Sequence, residues 1–176
     1  MVATVTPIDD ALFKALGDFI ESVIACQTVQ GLVNRTTMPL GGFIAMTTLR
    51  QRRLSTNTKT YNDSFAAGIP TGTKAITQAT EWVVQIDCYG GQSMQWANIL
   101  TTLFRDEFSC TALKPYLQPL EADDPIQAPI INGEQQYEQR WVVTAKFQYN
   151  PTIIISQQFF DQAVVEGIHS VDAETL

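Results

Sequence analysis

Residue types that carry chemistry are sparse in this chain and poorly spaced for it. The one histidine, His169, lies seven residues from the end. A Ser-His-Asp or Cys-His mechanism would have to run through it, and a zinc site would need a second histidine or clustered cysteines. Ser93 falls in Gly91-Gln-Ser-Met-Gln95, where the G-x-S-x-G elbow fails at Gln95. The stretch Gly68–Lys74, GIPTGTK, lacks phosphate-loop spacing, because Thr73 separates Gly72 from Lys74 and Ala75 follows. Asp123-Asp124 sits in a proline-rich loop and Asp106-Glu107 at a helix end, places of solvated acidic surface rather than of a metal or acid–base pair. Cys26, Cys88 and Cys110 are widely spaced with no CxxC, and read as reduced thiols used as small core hydrophobes. No catalytic residue, metal or cofactor is expected, and the chain does not read as an enzyme.

Two groups of polar residues point to contacts instead. Arg50, Arg52 and Arg53 make Arg50–Lys59 the only locally basic part of the sequence. On a strand Arg50 and Arg52 share a face and Arg53 points away. Such residues are either plain exposed strand positions or contacts to phosphate or an acidic protein. The acidity of the remaining chain favours a protein contact over stable DNA binding. Asp87 lies on a strand face opposite Trp82 and Ile86, so it faces solvent or a neighbouring subunit, or is buried with a partner such as Arg140. Tyr89 shares its face. Arg50, Arg52, Arg53, Asp87, Tyr89 and Arg140 are the candidate subunit or partner contacts.

The elements that position them follow from periodicity. Trp82, Val84, Ile86 and Cys88 alternate with Val83, Gln85, Asp87 and Tyr89, which predicts a strand over 81–89. After Gly90-Gly91, Met94, Ala97, Leu100, Phe104 and Phe108 form a helical stripe over 93–108. Trp82, Ile86, Leu100 and Phe104 are the expected core between that strand and helix. An N-terminal helix over about 8–26 opens at Thr6-Pro7, with Asp9 and Asp10 at the positive end of its dipole. Strands are expected at about 42–54 and at 138–149, where Trp141, Val143, Ala145, Phe147 and Tyr149 share a face. Residues 27–39 look irregular. Ser55–Thr80, rich in Thr, Asn and Ser, reads as a long hairpin or exposed loop. Pro115, Pro119, Pro125 and Pro129 exclude a regular helix or central strand over Ala112–Gly133, which ends at the turn pair Asn132-Gly133. A C-terminal arm, 151–176, closes the chain, with a polar, frayed tail.

At 176 residues, the size fits one domain, 1–176. The net charge of −7 is uneven: residues 1–75 carry seven Lys/Arg against five Asp/Glu, the rest four against thirteen. A chain with pI near 4.5 has no general attraction for nucleic acid. No apolar run approaches the roughly 20 residues of a spanning helix, and MVATVTPIDD lacks the features of a signal peptide. No membrane partner is expected.

Two long segments, WVVQIDCYGGQSMQWANILTTLFRDEF and NGEQQYEQRWVVTAKFQYNPTIIISQQFFD, resemble the neck terminator (tail terminator) proteins of tailed bacteriophages. The likeness rests on Gln85, Asp87, Tyr89 and Gly90, then on Gln136, Tyr137, Arg140, Trp141, Tyr149 and Asn150, and on Gln158, Phe159, Phe160 and Asp161. Gln30-Gly31, Asn34-Arg35 and Met38-Pro39 extend it, so that it covers about Leu12 to Asp161. The resemblance implies an α+β fold, an antiparallel β-sheet packed against two main α-helices. It implies a homo-oligomeric ring, typically a hexamer, in the virion neck at the head–tail junction, assembled in the host cytoplasm. Its implied partners are its own copies, the tail tube or sheath proteins and the head-completion or connector protein. Genomic DNA would pass through the lumen without specific binding. A head-completion (joining) protein of the same neck is the alternative, and an unrelated small-molecule-binding α+β domain a more distant one.

Overall fold

A computed structural model of the chain describes residues 3–32, 39–64, 71–131 and 136–157. His169, the Gln158–Asp161 motif, the Asn132-Gly133 turn, the Asn34-Arg35 and Met38 positions, and the polar tail lie outside them. The fold is α+β, with antiparallel pairing dominant.

The central strands are β3 (Phe43–Arg53), β6 (Thr80–Tyr89) and β11 (Arg140–Tyr149). They pair antiparallel, with Ile44, Met46, Ile86, Cys88, Val143, Ala145 and Phe147 on one face. That face is covered by α1 (Asp9–Val23) and α2 (Ser93–Phe104), whose Leu12, Leu16, Ile20, Ala97 and Leu100 are fully buried. Trp82, Ile86, Leu100 and Phe104 all lie in this core. Aromatic edges lock the layers: Phe13 stands on Trp82 at 5.1 Å, and Phe104 on Phe147 at 5.2 Å.

Several boundaries differ from the sequence reading, each for a local reason. The N-terminal helix is shorter: Thr6 ends a small strand, β1 (Thr4–Thr6), and Ile8 holds the cap position without a side-chain bond. Residues 27–39 are not wholly irregular, because β2 (Gln27–Gln30) runs parallel to β3. The stripe to Phe108 is not one helix. Asp106 accepts a hydrogen bond from the Phe108 N–H at 2.8 Å and caps a separate helix, α3 (Glu107–Ala112). The proline-rich segment pairs only at borders: β7 (Gln118–Ala122) and β8 (Ile126–Gln127) flank β11, and β9 (Ile130–Ile131) pairs with β10 (Tyr137–Glu138). Pro119 is tolerated because β7 is the edge strand among the described residues, where a missing N–H breaks no inner ladder.

Beyond the helices the three central strands continue as an arm. β4 (Thr58–Ser64), β5 (Thr71–Thr77) and β12 (Thr152–Gln157) form a second sheet with β1 in the order β1-β12-β5-β4. Tyr149 sits opposite Thr80 and Thr152 opposite Thr77, so the register crosses from sheet to sheet without a slip. In the gap the Gln78 N–H donates to the Pro151 carbonyl at 3.1 Å, and the Leu54 N–H to that of Ala79 at 2.9 Å. The two sheets are therefore one antiparallel ribbon, with helices on its proximal half.

Candidate assembly surface

The face of the central sheet away from the helices is built by alternate residues of three strands. Registers place Phe43, Tyr89 and Arg140 in one row, then Ala45, Asp87 and Val142, then Thr47, Gln85 and Thr144. Beyond these the alternation of β3 changes phase. Leu49 is an extra residue, a bulge, between Thr48 opposite Val84 and Arg50 opposite Val83. Were Leu49 paired in unbroken alternation, Arg50 and Arg52 would have the parity of Ile44 and Met46 and point at the helices. Because Leu49 bulges out instead, they join Val83, Glu81, Lys146 and Gln148 on the helix-free face. Thr48, the last residue before the bulge, accepts a hydrogen bond from the Trp82 indole N–H at 2.8 Å.

Charge on this face is paired strand to strand. Arg140 donates to Asp87 Oδ1 from Nε at 3.1 Å and Nη2 at 2.8 Å, while Gln85 Nε2 reaches both carboxylate oxygens at 3.0 and 2.9 Å. Asp87 is buried, and Arg140 also lies over the Tyr89 ring at 5.8 Å. Tyr89 stacks on Phe43 at 4.6 Å, and burial first, then the Asp87 charge, raise its phenol pKa. Glu81, also buried, is held between Arg52 at 3.0 Å and Arg50 at 3.6 Å. Its Oε1 makes no hydrogen bond. Lys146 donates to Glu121 on β7 at 2.6 Å, a bond that raises the amine and lowers the carboxyl pKa.

Sign of charge changes across the molecule. Arg50 and Arg52 lie more than half exposed at the β3 border, with Arg53 beside them opposite Thr80 and on the other face. At the β7 border Glu121 and Asp123 sit opposite Lys146 and Thr144, and Arg105 ties Asp124 to the Ala122 carbonyl at 2.8 and 2.7 Å. Among the described residues no cluster of His, Cys, Asp and Glu could hold a metal ion. No helix there is long and apolar enough to cross a membrane.

The sequence profile described as phage neck terminator protein matches residues 10–174. The chain belongs to that family. It is a structural protein of the phage neck, its place is the virion, and its contacts are with other neck and tail proteins. No curated protein matches the sequence. Of the six candidate contact residues of this neck protein, Asp87, Tyr89 and Arg140 form one cluster, Arg50 and Arg52 meet at Glu81, and Arg53 stands apart. Glu81, Gln85, Lys146 and Glu121 were missed. Alternation along β6 already puts Glu81 and Gln85 on the face of Asp87. The cross-strand partners Lys146 and Glu121 depend on register and leave no local signal.

Proposed function

We propose that copies of this chain assemble head to tail into a closed ring, a hexamer. The ring caps the completed tail, joins it to the head-side connector and leaves a channel for DNA. The observation that carries this reading is the opposite charge of the two lateral borders, Arg50, Arg52 and Arg53 against Glu121, Asp123 and Asp124. A heterologous ring needs two different, mutually complementary surfaces on each subunit. The chain acts as one assembly domain over residues 1–176, without a catalytic step, and the ring forms in the host cytoplasm. A net charge of −7 per subunit suits a channel through which DNA slides, since few phosphate counterions would be released on contact.

Light scattering coupled to size-exclusion chromatography, with and without tail tubes, tests the ring. A closed oligomer is expected, and a monomer under both conditions overturns the reading. Electron microscopy of particles lacking the protein tests its place. Tails of abnormal length, or tails unable to join heads, are expected. Normal free tails beside unjoined heads would assign it to head completion instead.

A further inference from the structure

We infer that the β4–β5 arm is the strap between neighbouring copies: the arm of one copy lies on the α3–β7 rim of the next. The inference rests on the ring reading and adds which surfaces meet. Its starting point is an arm that extends past the helices with apolar side chains left uncovered. Strand registers put Val5, Ile153 and Ile76 in one row and Ile155, Lys74 and Tyr61 in the next, on one face. Val5 is 47%, Ile153 37% and Tyr61 51% exposed. The opposite face carries threonines, among them Thr58, Thr60, Thr77 and Thr152. Among the described residues β4 pairs with β5 alone, so its outer edge has no partner strand there. Arg53 and Lys59 have no ion pair among the described residues.

The rim has the complementary character. Phe108 is 52%, Tyr116 48% and Leu120 46% exposed, beside Glu107 and Asp123, which have no ion pair among the described residues either. Arg105, the C-cap of α2 two residues before α3, donates to the Ala122 carbonyl at the end of β7 and so ties the two sides of the rim together. Arm and rim thus each join exposed aliphatic or aromatic surface to unneutralised charge, of opposite sign. They also lie on opposite lateral borders: β4 prolongs β3, whereas β7 flanks β11 on the far side. One copy cannot close this contact on itself, but a second copy in the same orientation can.

Two charge-reversed variants test the pairing. Arg53→Glu with Lys59→Glu makes the arm acidic; Glu107→Lys with Asp123→Lys makes the rim basic. All four positions are exposed, and unchanged thermal unfolding will verify the fold. Each variant alone should lose subunit affinity by roughly tenfold or more, because like charges then face each other. An equimolar mixture should regain rings in which the two variants alternate, read by native mass spectrometry. Rings of the arm variant alone that are as stable as wild type overturn the strap while leaving the ring intact. Failure of the wild type to form rings overturns both. Carbodiimide cross-linking of a mixture of isotope-labelled and unlabelled wild type gives a readout without substitutions. Lys59 joined to Glu107 or Asp123 across differently labelled copies is expected, and absence of such links from a formed ring overturns the strap.

Discussion

Arg140 and Asp87 face each other across the two central strands, at 2.8 Å, with the carboxylate buried and the guanidinium three-quarters so. The pair is backed by Gln85 on one side and by the Tyr89 ring on the other. Its immediate effect is on the subunit, since it lets a carboxylate sit within the middle strand without being left unpaired.

Arg140→Ala should therefore cost about 2–4 kcal/mol in urea unfolding, toward the lower end of a broken buried pair because Gln85 still donates. Asp87→Asn combined with Arg140→Ala should cost much less than the sum of the two single changes. Additive losses would show that the two residues act independently.

Leu49 is half exposed and is the one residue of β3 bulged out of the ladder with β6, whose pairing resumes at Arg50 opposite Val83. Leu49→Ala should be nearly neutral, within about 1 kcal/mol. Deleting Leu49 takes out the extra residue and leaves Arg50 directly after Thr48, still opposite Val83, so Arg50 and Arg52 should keep their face and their contact with Glu81. We expect a folded product with a native near-ultraviolet circular dichroism spectrum. A deletion variant that is insoluble or molten would refute the bulge argument.

Gly42 has no room for a side chain. A Cβ there would lie 2.6 Å from Trp96 Cη2 and 3.1 Å from the Tyr89 carbonyl oxygen. Gly42→Ala should lower stability by about 1–3 kcal/mol through overpacking and shift the tryptophan emission. The neighbouring Gly41 has open space but a φ of +90°, so Gly41→Ala should cost about 1 kcal/mol by backbone strain alone, leaving the emission unchanged.

Burial pushes the Cys88 thiol up to about 12, with Cys26 and Asp87 adding to the rise. A raised native value means that the native state holds its proton longer than the unfolded chain does. The stability this contributes is complete below about pH 9, and is lost as pH climbs toward about 12. Between pH 9 and 11 the wild type should lose roughly 2–3 kcal/mol more than Cys88→Ala, at about 1.4 kcal/mol per unit. Parallel pH profiles from urea midpoints would remove Cys88 as the cause.

Subunit contacts between exposed charges should respond to salt. The screening length falls from about 10 Å at 0.1 M to about 3 Å at 1 M. Ring dissociation measured by mass photometry should increase over that range. Unchanged dissociation would place the binding energy in apolar contacts only.

Much of the architecture was legible because the sequence repeats its constraints. Trp82, Val84, Ile86 and Cys88 alternate, Leu12, Leu16 and Ile20 recur at helical spacing, and both patterns end up in one core. The failures are local and share a cause. A cap such as Asp106, a bulge such as Leu49 and an edge strand such as β7 are decided by one hydrogen bond or one partner strand, which no short window of sequence contains. The same holds for the surface. Asp87 could be named as a residue needing a partner, and Arg140 as a candidate, but 52 residues separate them, and only register joins them.

By itself, then, the sequence determined which faces are apolar and which family the chain resembles. It also held the asymmetry of charge along the chain, because all of these are properties of residue order. The tertiary structure decided that Arg50 and Arg52 point away from the helices and meet at Glu81. It also continued the ladder past Asn150-Pro151 into an arm, and put basic and acidic residues on opposite borders. These depend on strand order and on register. A strand has only two faces, so alternation counted from Ile44 and Met46 puts Arg50 and Arg52 on the helix side, and only the bulge at Leu49 puts them on the other.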